Sequence, residues 1–148
     1  MADYRKGSHT IHDIKLHFVW ATKYRYKILT EQVADRCREL IRQICKRNRV
    51  EIIKGHMEPE HIHLFVSVPP TISPSKLMQY IKGSSSRRLQ QEFPYLNKRY
   101  WGRHMWRTGY FVASAGTVTE QMIKDYLDHH RDEDEDDFTI SGEPDNLQ

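Results

Sequence analysis

The order of periodic segments in this 148-residue chain predicts an α+β fold, β-α-β-β-α-β-α. Three observations carry the prediction. Residues 14–21 and 61–68 carry an apolar side chain at every second position, 14 to 20 and 62 to 68, as half-buried strands do. Residues 31–48 repeat their apolar positions at helical spacing. Glu58-Pro59-Glu60 is too short for anything but a hairpin between its flanking strands. Together these give the split βαβ, ferredoxin-like (RRM-like) pattern: an antiparallel sheet, helices on one face, and an extra C-terminal helix. The length suits one domain. We assign residues 1–130 to it and residues 131–148 to an acidic tail expected to be disordered.

Residues 1–10 are polar and read as a loose arm. In the first strand, Ile14, Leu16, Phe18 and Trp20 share one face, and Lys15, His17 and Val19 the other. Thr22–Tyr26 is a basic-aromatic loop. Thr30 can cap a helix to about Asn48, whose buried stripe is Val33, Cys37, Leu40, Ile41 and Ile44. The second strand is expected over Val50–His56 and the third over His61–Val68, ended by Pro69-Pro70. Ser73-Pro74 starts a helix that runs to about Glu92. Gly83-Ser84-Ser85-Ser86 inside it lowers helix propensity, so these small residues should allow a close approach, of backbone or of DNA. Phe93–Arg107 is an aromatic, basic connector, and Tyr110–Ala115 a fourth strand broken by Gly116. Thr117 and Glu120 form a capping box for a last helix reaching His130.

Charge narrows the function. Residues 1–127 hold 22 Lys and Arg against 11 Asp and Glu, whereas residues 128–148 hold one Arg against nine acids. A body at +11 points to a polyanionic partner, most often nucleic acid. No apolar run is long enough to span a bilayer, and the polar start lacks a signal core. Cys37 and Cys45, eight apart on one helix, are too distant to bridge. A reducing cytoplasm is the expected location.

The chemistry centres on His61-Ile62-His63. On a strand both imidazoles point to one face and can converge on a divalent ion, although His-X-His also occurs at ordinary polar strand edges. Tyr126 and His130, four apart, share one face of the last helix. A phenol there could attack a phosphodiester, and an imidazole one turn on could be a third ligand. The stripe Met122, Ile123, Tyr126, Leu127 and His130 is also what a packing face looks like, and His129 is a rival ligand.

His61-Ile62-His63 after Glu58-Pro59-Glu60 is similar to the His-hydrophobic-His (HUH) signature of single-strand DNA nucleases. Tyr126 with a polar residue four later resembles the single-tyrosine transposases (TnpA) of the insertion-sequence 200/605 family. Val19-Trp20-Ala21-Thr22-Lys23-Tyr24-Arg25-Tyr26, Ile81–Leu89 and Trp106–Val112 extend that resemblance over about residues 10–130. It implies that His61, His63 and His130 bind Mg²⁺ or Mn²⁺. It also implies that Tyr126 is the nucleophile, forming a 5′-phosphotyrosine bond that a second 3′-hydroxyl can reverse. The third ligand in this family is often Gln or Asn; His130 departs in type, and three imidazoles lean toward Mn²⁺. The resemblance further implies a homodimer with active sites shared between subunits, in a prokaryotic cytoplasm. The substrate would be single-stranded DNA with hairpins at the element ends.

Lys23, Arg25, Lys54, Lys82, Arg87 and Arg88 are candidates for DNA phosphates. Tyr24, Tyr26, Trp101 and Trp106 are candidates for stacking on unpaired bases, or for the core. Two other readings stand beside the transposase: a related HUH nuclease, such as a replication initiator or a domesticated repeat-associated enzyme, and a non-catalytic ferredoxin-like nucleic-acid-binding module.

Overall fold

A computed structural model describes residues 4–7, 10–114 and 121–128. Two short strands, β1 (Arg5–Lys6) and β2 (Ile11–His12), precede β3 (Ile14–Ala21). Then come α1 (Glu31–Arg47), β4 (Glu51–Glu58), β5 (His61–Val68), α2 (Pro74–Glu92), the short α3 (Pro94–Arg99) and β6 (Phe111–Ser114). A further helix, α4, is described over 121–128. The main sheet has the order β4-β5-β3-β6, every neighbouring pair antiparallel. That is the split βαβ arrangement, with α4 as the added helix.

The strand boundaries of β3 and β5 are those the alternation predicts. Phe18 and Trp20 of β3 and Ile62, Leu64, Val66 and Val68 of β5 point into one core. From α1 it receives Val33, Cys37, Leu40, Ile41, Ile44 and Cys45, and from α2 Leu77, Met78, Ile81 and Leu89. Both cysteines are buried free thiols, and burial pushes each up to about 12. Thr30 stands at the N-cap of α1 as predicted, but its hydroxyl makes no capping bond. Ser73 does cap α2: its Oγ accepts from the Lys76 amide at 3.1 Å.

Several expectations are corrected. The described part of the N-terminal arm is tied down: β1 pairs with β2, and the Arg5 guanidinium donates to the Ser67 and Arg49 carbonyls at 2.9 and 2.7 Å. The second strand runs to Glu58, so the hairpin turn shrinks to Pro59 and Glu60. The connector contains α3, started by Pro94. In α2 the buried serines admit the protein's own connector. Ser85 Oγ accepts from the Trp106 indole at 2.9 Å, and Ser86 Oγ from the Met105 amide at 3.3 Å. Gly83 by contrast has open space where a Cβ would stand. Gly116 and the capping box of Thr117 and Glu120 lie outside the described residues, as do His129, His130 and the acidic tail.

One irregularity decides what the second sheet face carries. Ile52 pairs with Val66, yet Lys54 pairs with Phe65, so Ile53 is an extra residue bulged out of β4 and half exposed. A strand's facing alternates, so one inserted residue reverses everything beyond it. The reversal puts His56 opposite His63 and Glu58 opposite His61. Without it, Lys54 and His56 would point into the core.

Candidate functional site on the histidine face of the sheet

The sheet face not covered by α1 and α2 gathers His17, His56, His61 and His63. His61 and His63 lie two apart on β5, so their side chains emerge together. Their Nε2 atoms approach to 3.0 Å. His61 Nδ1 lies 2.8 Å from Glu60 Oε1 in the hairpin turn. A carboxylate there accepts the Nδ1 proton and leaves the His61 Nε2 lone pair pointing at its neighbour. His63 then either donates a proton to it or shares a cation with it.

The geometry fits the cation. Two ligands at right angles and ~2.1 Å from an octahedral ion stand about 3.0 Å apart. Imidazole ligates as the neutral base, and burial favours that form of both rings. Burial first, then the neighbouring His61, His17 and His56, push His63 down to about 4. Burial also lowers His61, against the opposing pull of Glu60. Among the described residues no third His, Cys, Asp or Glu completes such a group. The predicted third ligand, His130, and its rival His129 lie outside the described residues.

Two further histidines frame the pair. The His17 ring lies 5.6 Å from that of His63, and its Nε2 is buried with no hydrogen-bond partner within the described structure. His56 lies 5.8 Å from His63 on the other side and is hydrogen-bonded to Glu58. The sequence leaves both without a role; the β4 bulge that aims His56 has no simple signature.

Tyr126 is 9% exposed and packs with Val19, Ala21 and Leu127, with the Phe111 ring 6.1 Å away. Val19 is the cross-strand partner of His63, and Ala21 of His61. The helix thus docks its tyrosine on the residues beside the histidine pair. Of the predicted stripe, Ile123, Tyr126 and Leu127 pack here, whereas Met122 is exposed and His130 lies outside the described residues. Next to it an open cleft of about 260 Å³ is lined by His63, Arg25, Ile123, Lys124, Leu127 and Asp128.

Arg25 comes from the tight turn Lys23–Arg25, where Tyr24 and Arg25 both take left-handed φ values, 61° and 52°. Such residues persist only where their surroundings hold them. Thr22 Oγ1 donates to the Tyr26 carbonyl at 2.7 Å, and the Lys23 amide to the Met105 carbonyl at 2.8 Å. From that turn the Arg25 guanidinium reaches the Leu127 carbonyl of α4 at 3.3 Å.

The other predicted phosphate contacts scatter. Lys23 is half-buried, its ammonium over the Tyr24 ring. Lys54 is exposed on the histidine face. Arg87 is exposed and Arg88 pairs with Glu92 at 3.3 Å; both sit on α2, whose apolar side packs on the opposite sheet face. Lys82 is a correction. It is 1% exposed, and its Nζ donates to the Arg107 and Gly109 carbonyls at 2.8 and 2.9 Å. Its cation satisfies the chain's own backbone and is not offered to a phosphate. Trp106 is a core residue, 1% exposed, whereas Trp101 is 87% exposed.

Comparison with known proteins agrees with this architecture. The profile of the family described as "Transposase IS200 like" matches residues 10–130. The chain belongs to the IS200-like transposases. Among its relatives in that family, the transposase for insertion sequence element IS200 of Salmonella typhimurium is 34% identical, over 90% of this chain and 88% of the relative. The ISDra2 transposase TnpA of Deinococcus radiodurans is 28% identical, over 88% of this chain and 93% of that one. A crystal structure of a candidate transposase from Deinococcus radiodurans superposes with a TM-score of 0.78 at 30% identity, over 84% of this chain and 96% of that one. A REP-associated tyrosine transposase bound to a REP hairpin shares the fold, with a TM-score of 0.53 at 20% identity, over 87% of this chain and 68% of its own. No helix among the described residues of this IS200-like transposase is long and apolar enough to cross a membrane.

Proposed function

We propose that this chain cleaves and rejoins single-stranded DNA at the ends of an insertion sequence, with Tyr126 as nucleophile. The observation that carries the reading is the pair of Nε2 atoms 3.0 Å apart, on the sheet face where the Tyr126 helix docks. The Tyr126 phenol oxygen attacks the scissile phosphorus and the bond to the 3′-oxygen breaks. One strand then ends in a free 3′-hydroxyl and the other is held as a 5′-phosphotyrosine ester. Attack on that ester by another strand's 3′-hydroxyl frees the phenol and joins the two strands. The phosphodiester count is conserved, so no nucleotide cofactor is needed.

His61, His63 and His130 would hold Mg²⁺ or Mn²⁺. A bound divalent ion supplies charge neutralisation at the phosphate and stabilises the leaving oxygen. Glu60 keeps His61 in its ligating tautomer. A phenol titrates near ~10, so Tyr126 must lose its proton as it attacks. Arg25 and Lys124 place positive charge in the adjoining cleft. Hairpins at the element ends are the substrate this reading favours, since a REP hairpin is what the structurally similar REP-associated enzyme is bound to. We place the reaction in a prokaryotic cytoplasm and in a homodimer. Here α4 docks on its own chain's sheet, so an active site shared between subunits requires exchange of this helix.

The test is a labelled single-stranded hairpin from the flanks of the gene, incubated with Mg²⁺, Mn²⁺ or EDTA and run on a denaturing protein gel. The expected result is a metal-dependent covalent adduct, lost in Tyr126→Phe and in His63→Ala. Mixing those two variants restores the adduct if the site is shared between subunits. Hairpin binding without an adduct under either metal would favour the non-catalytic binding module.

A further inference from the structure

The turn after α3 holds Trp101 outward at a cost. Its φ is +56°, a left-handed conformation that a bulky side chain rarely adopts. The surrounding bonds enforce it. The Trp101 amide donates to the Lys98 carbonyl, the Gly102 amide to the Asn97 carbonyl at 2.8 Å, and Gln90 Nε2 to the Arg103 carbonyl at 2.6 Å. Tyr100, 3% exposed, anchors the turn from below. An indole that contributes little to the core is thus fixed in solvent by a strained backbone, a combination associated with function.

Charge names the partner. Between Glu92 and Glu120 the chain has no acid, yet it carries Lys98, Arg99, Arg103 and Arg107. Aromatic contacts also lead back from this turn toward the cleft. The Arg99 guanidinium lies 4.0 Å over the Tyr26 ring, Tyr26 packs on Tyr24 at 5.5 Å, and Lys23 lies over Tyr24 at 5.6 Å. The next residue, Arg25, lines the cleft beside His63. An open indole beside a line of cations suits an unpaired strand, whose base can stack while its phosphates meet the charges. A duplex keeps its base faces stacked inside and cannot use them.

We propose that a base of single-stranded DNA stacks on Trp101 and that its backbone follows a cationic track along Lys98, Arg99 and Arg25 to the histidine cleft. This rests on the reading that the chain acts on single-stranded DNA. The probe is a 20-mer of thymidylate in EDTA, which separates binding from cleavage. Binding is followed by anisotropy and by tryptophan fluorescence. Of the three tryptophans only Trp101 is exposed, so quenching reports on it. Trp101→Gly is expected to weaken binding about 5- to 150-fold, the range for loss of one stacked base. Trp101→Phe should stay close to wild type, and a 20-base-pair duplex should not distinguish the three proteins. Trp101→Gly should unfold no earlier than wild type, since glycine accepts the left-handed φ. Unchanged thymidylate affinity in Trp101→Gly, or an equal loss for the duplex, overturns the track. If the Tyr126-dependent adduct still forms in that case, the proposed function survives. A wild type that neither binds thymidylate nor forms the adduct removes both.

Discussion

The two faces of the sheet are built on opposite principles. The covered face is one continuous core, from Phe18 and Trp20 through Leu64 and Val66 to the stripes of α1 and α2. Among the described residues the apolar cluster on the other face is small, Val19, Ala21, Tyr126 and Leu127, with Phe111 and Ile123 at its edge. Beside that small patch stand imidazoles whose neutral form burial favours. The first face supplies stability and holds β5 rigid, so two nitrogens can be kept 3.0 Å apart. The second face holds the described part of the tyrosine helix through a small contact, the mark of an element with low local stability. Rigidity is placed under the histidines, and weak adhesion under the tyrosine.

Substitutions on the two faces should therefore differ in kind. Phe18→Ala, at a fully buried position of the covered face, should cost about 3–5 kcal/mol of global stability in urea unfolding. A loss below about 1 kcal/mol would deny that this face is the main core.

Acid should act through the other face. His17, His61 and His63 are all held below their ordinary value, chiefly by desolvation. Unfolded imidazoles take up protons near ~6.5, where the folded ones do not. The stability they confer is complete above that value and is lost as the pH falls from 6.5 toward the His63 value of about 4. Urea midpoints in EDTA should drop between pH 7.5 and 5, and His63→Gln should flatten the drop. Equal slopes in the two proteins would assign the acid sensitivity elsewhere.

Leu127→Ala should lower global stability by about 1 kcal/mol or less, because α4 can open without the core. Amide exchange over 121–128 should accelerate well beyond that of α1. Arg25→Ala removes one long, part-buried bond, to the Leu127 carbonyl, and should cost about 0.5 kcal/mol. Its exchange signature should be confined to the same helix. Uniform acceleration across the whole chain in either variant would mean that α4 belongs to the global folding unit.

Much of the fold is legible in the residues. Ile14–Ala21 and His61–Val68 are observed with the boundaries that alternation and Pro69 predict, and Ser73 caps α2 as its neighbour Pro74 suggests. His61 and His63 share a face because a strand has a period of two. What stays hidden depends on residues far away in sequence. Lys82 reads as a surface cation until carbonyls 25 and 27 positions later arrive to accept its protons. Trp101 and Trp106 look alike in a basic connector, yet Ser85 draws one indole inside while a left-handed turn throws the other out.

The sequence by itself determined the order of the four main strands and of the helices α1 and α2, the paired imidazoles, the basic body and the family resemblance. These follow from local periodicity, composition and short motifs. Only the tertiary structure decided which aromatics are core, which cations remain available, and that the tyrosine helix docks beside the histidines. It also revealed the bulge at Ile53 that brings His56 and Glu58 to the same face. Such facts depend on which distant groups meet, and a side chain's partners across the sheet leave no periodic trace in its own neighbourhood.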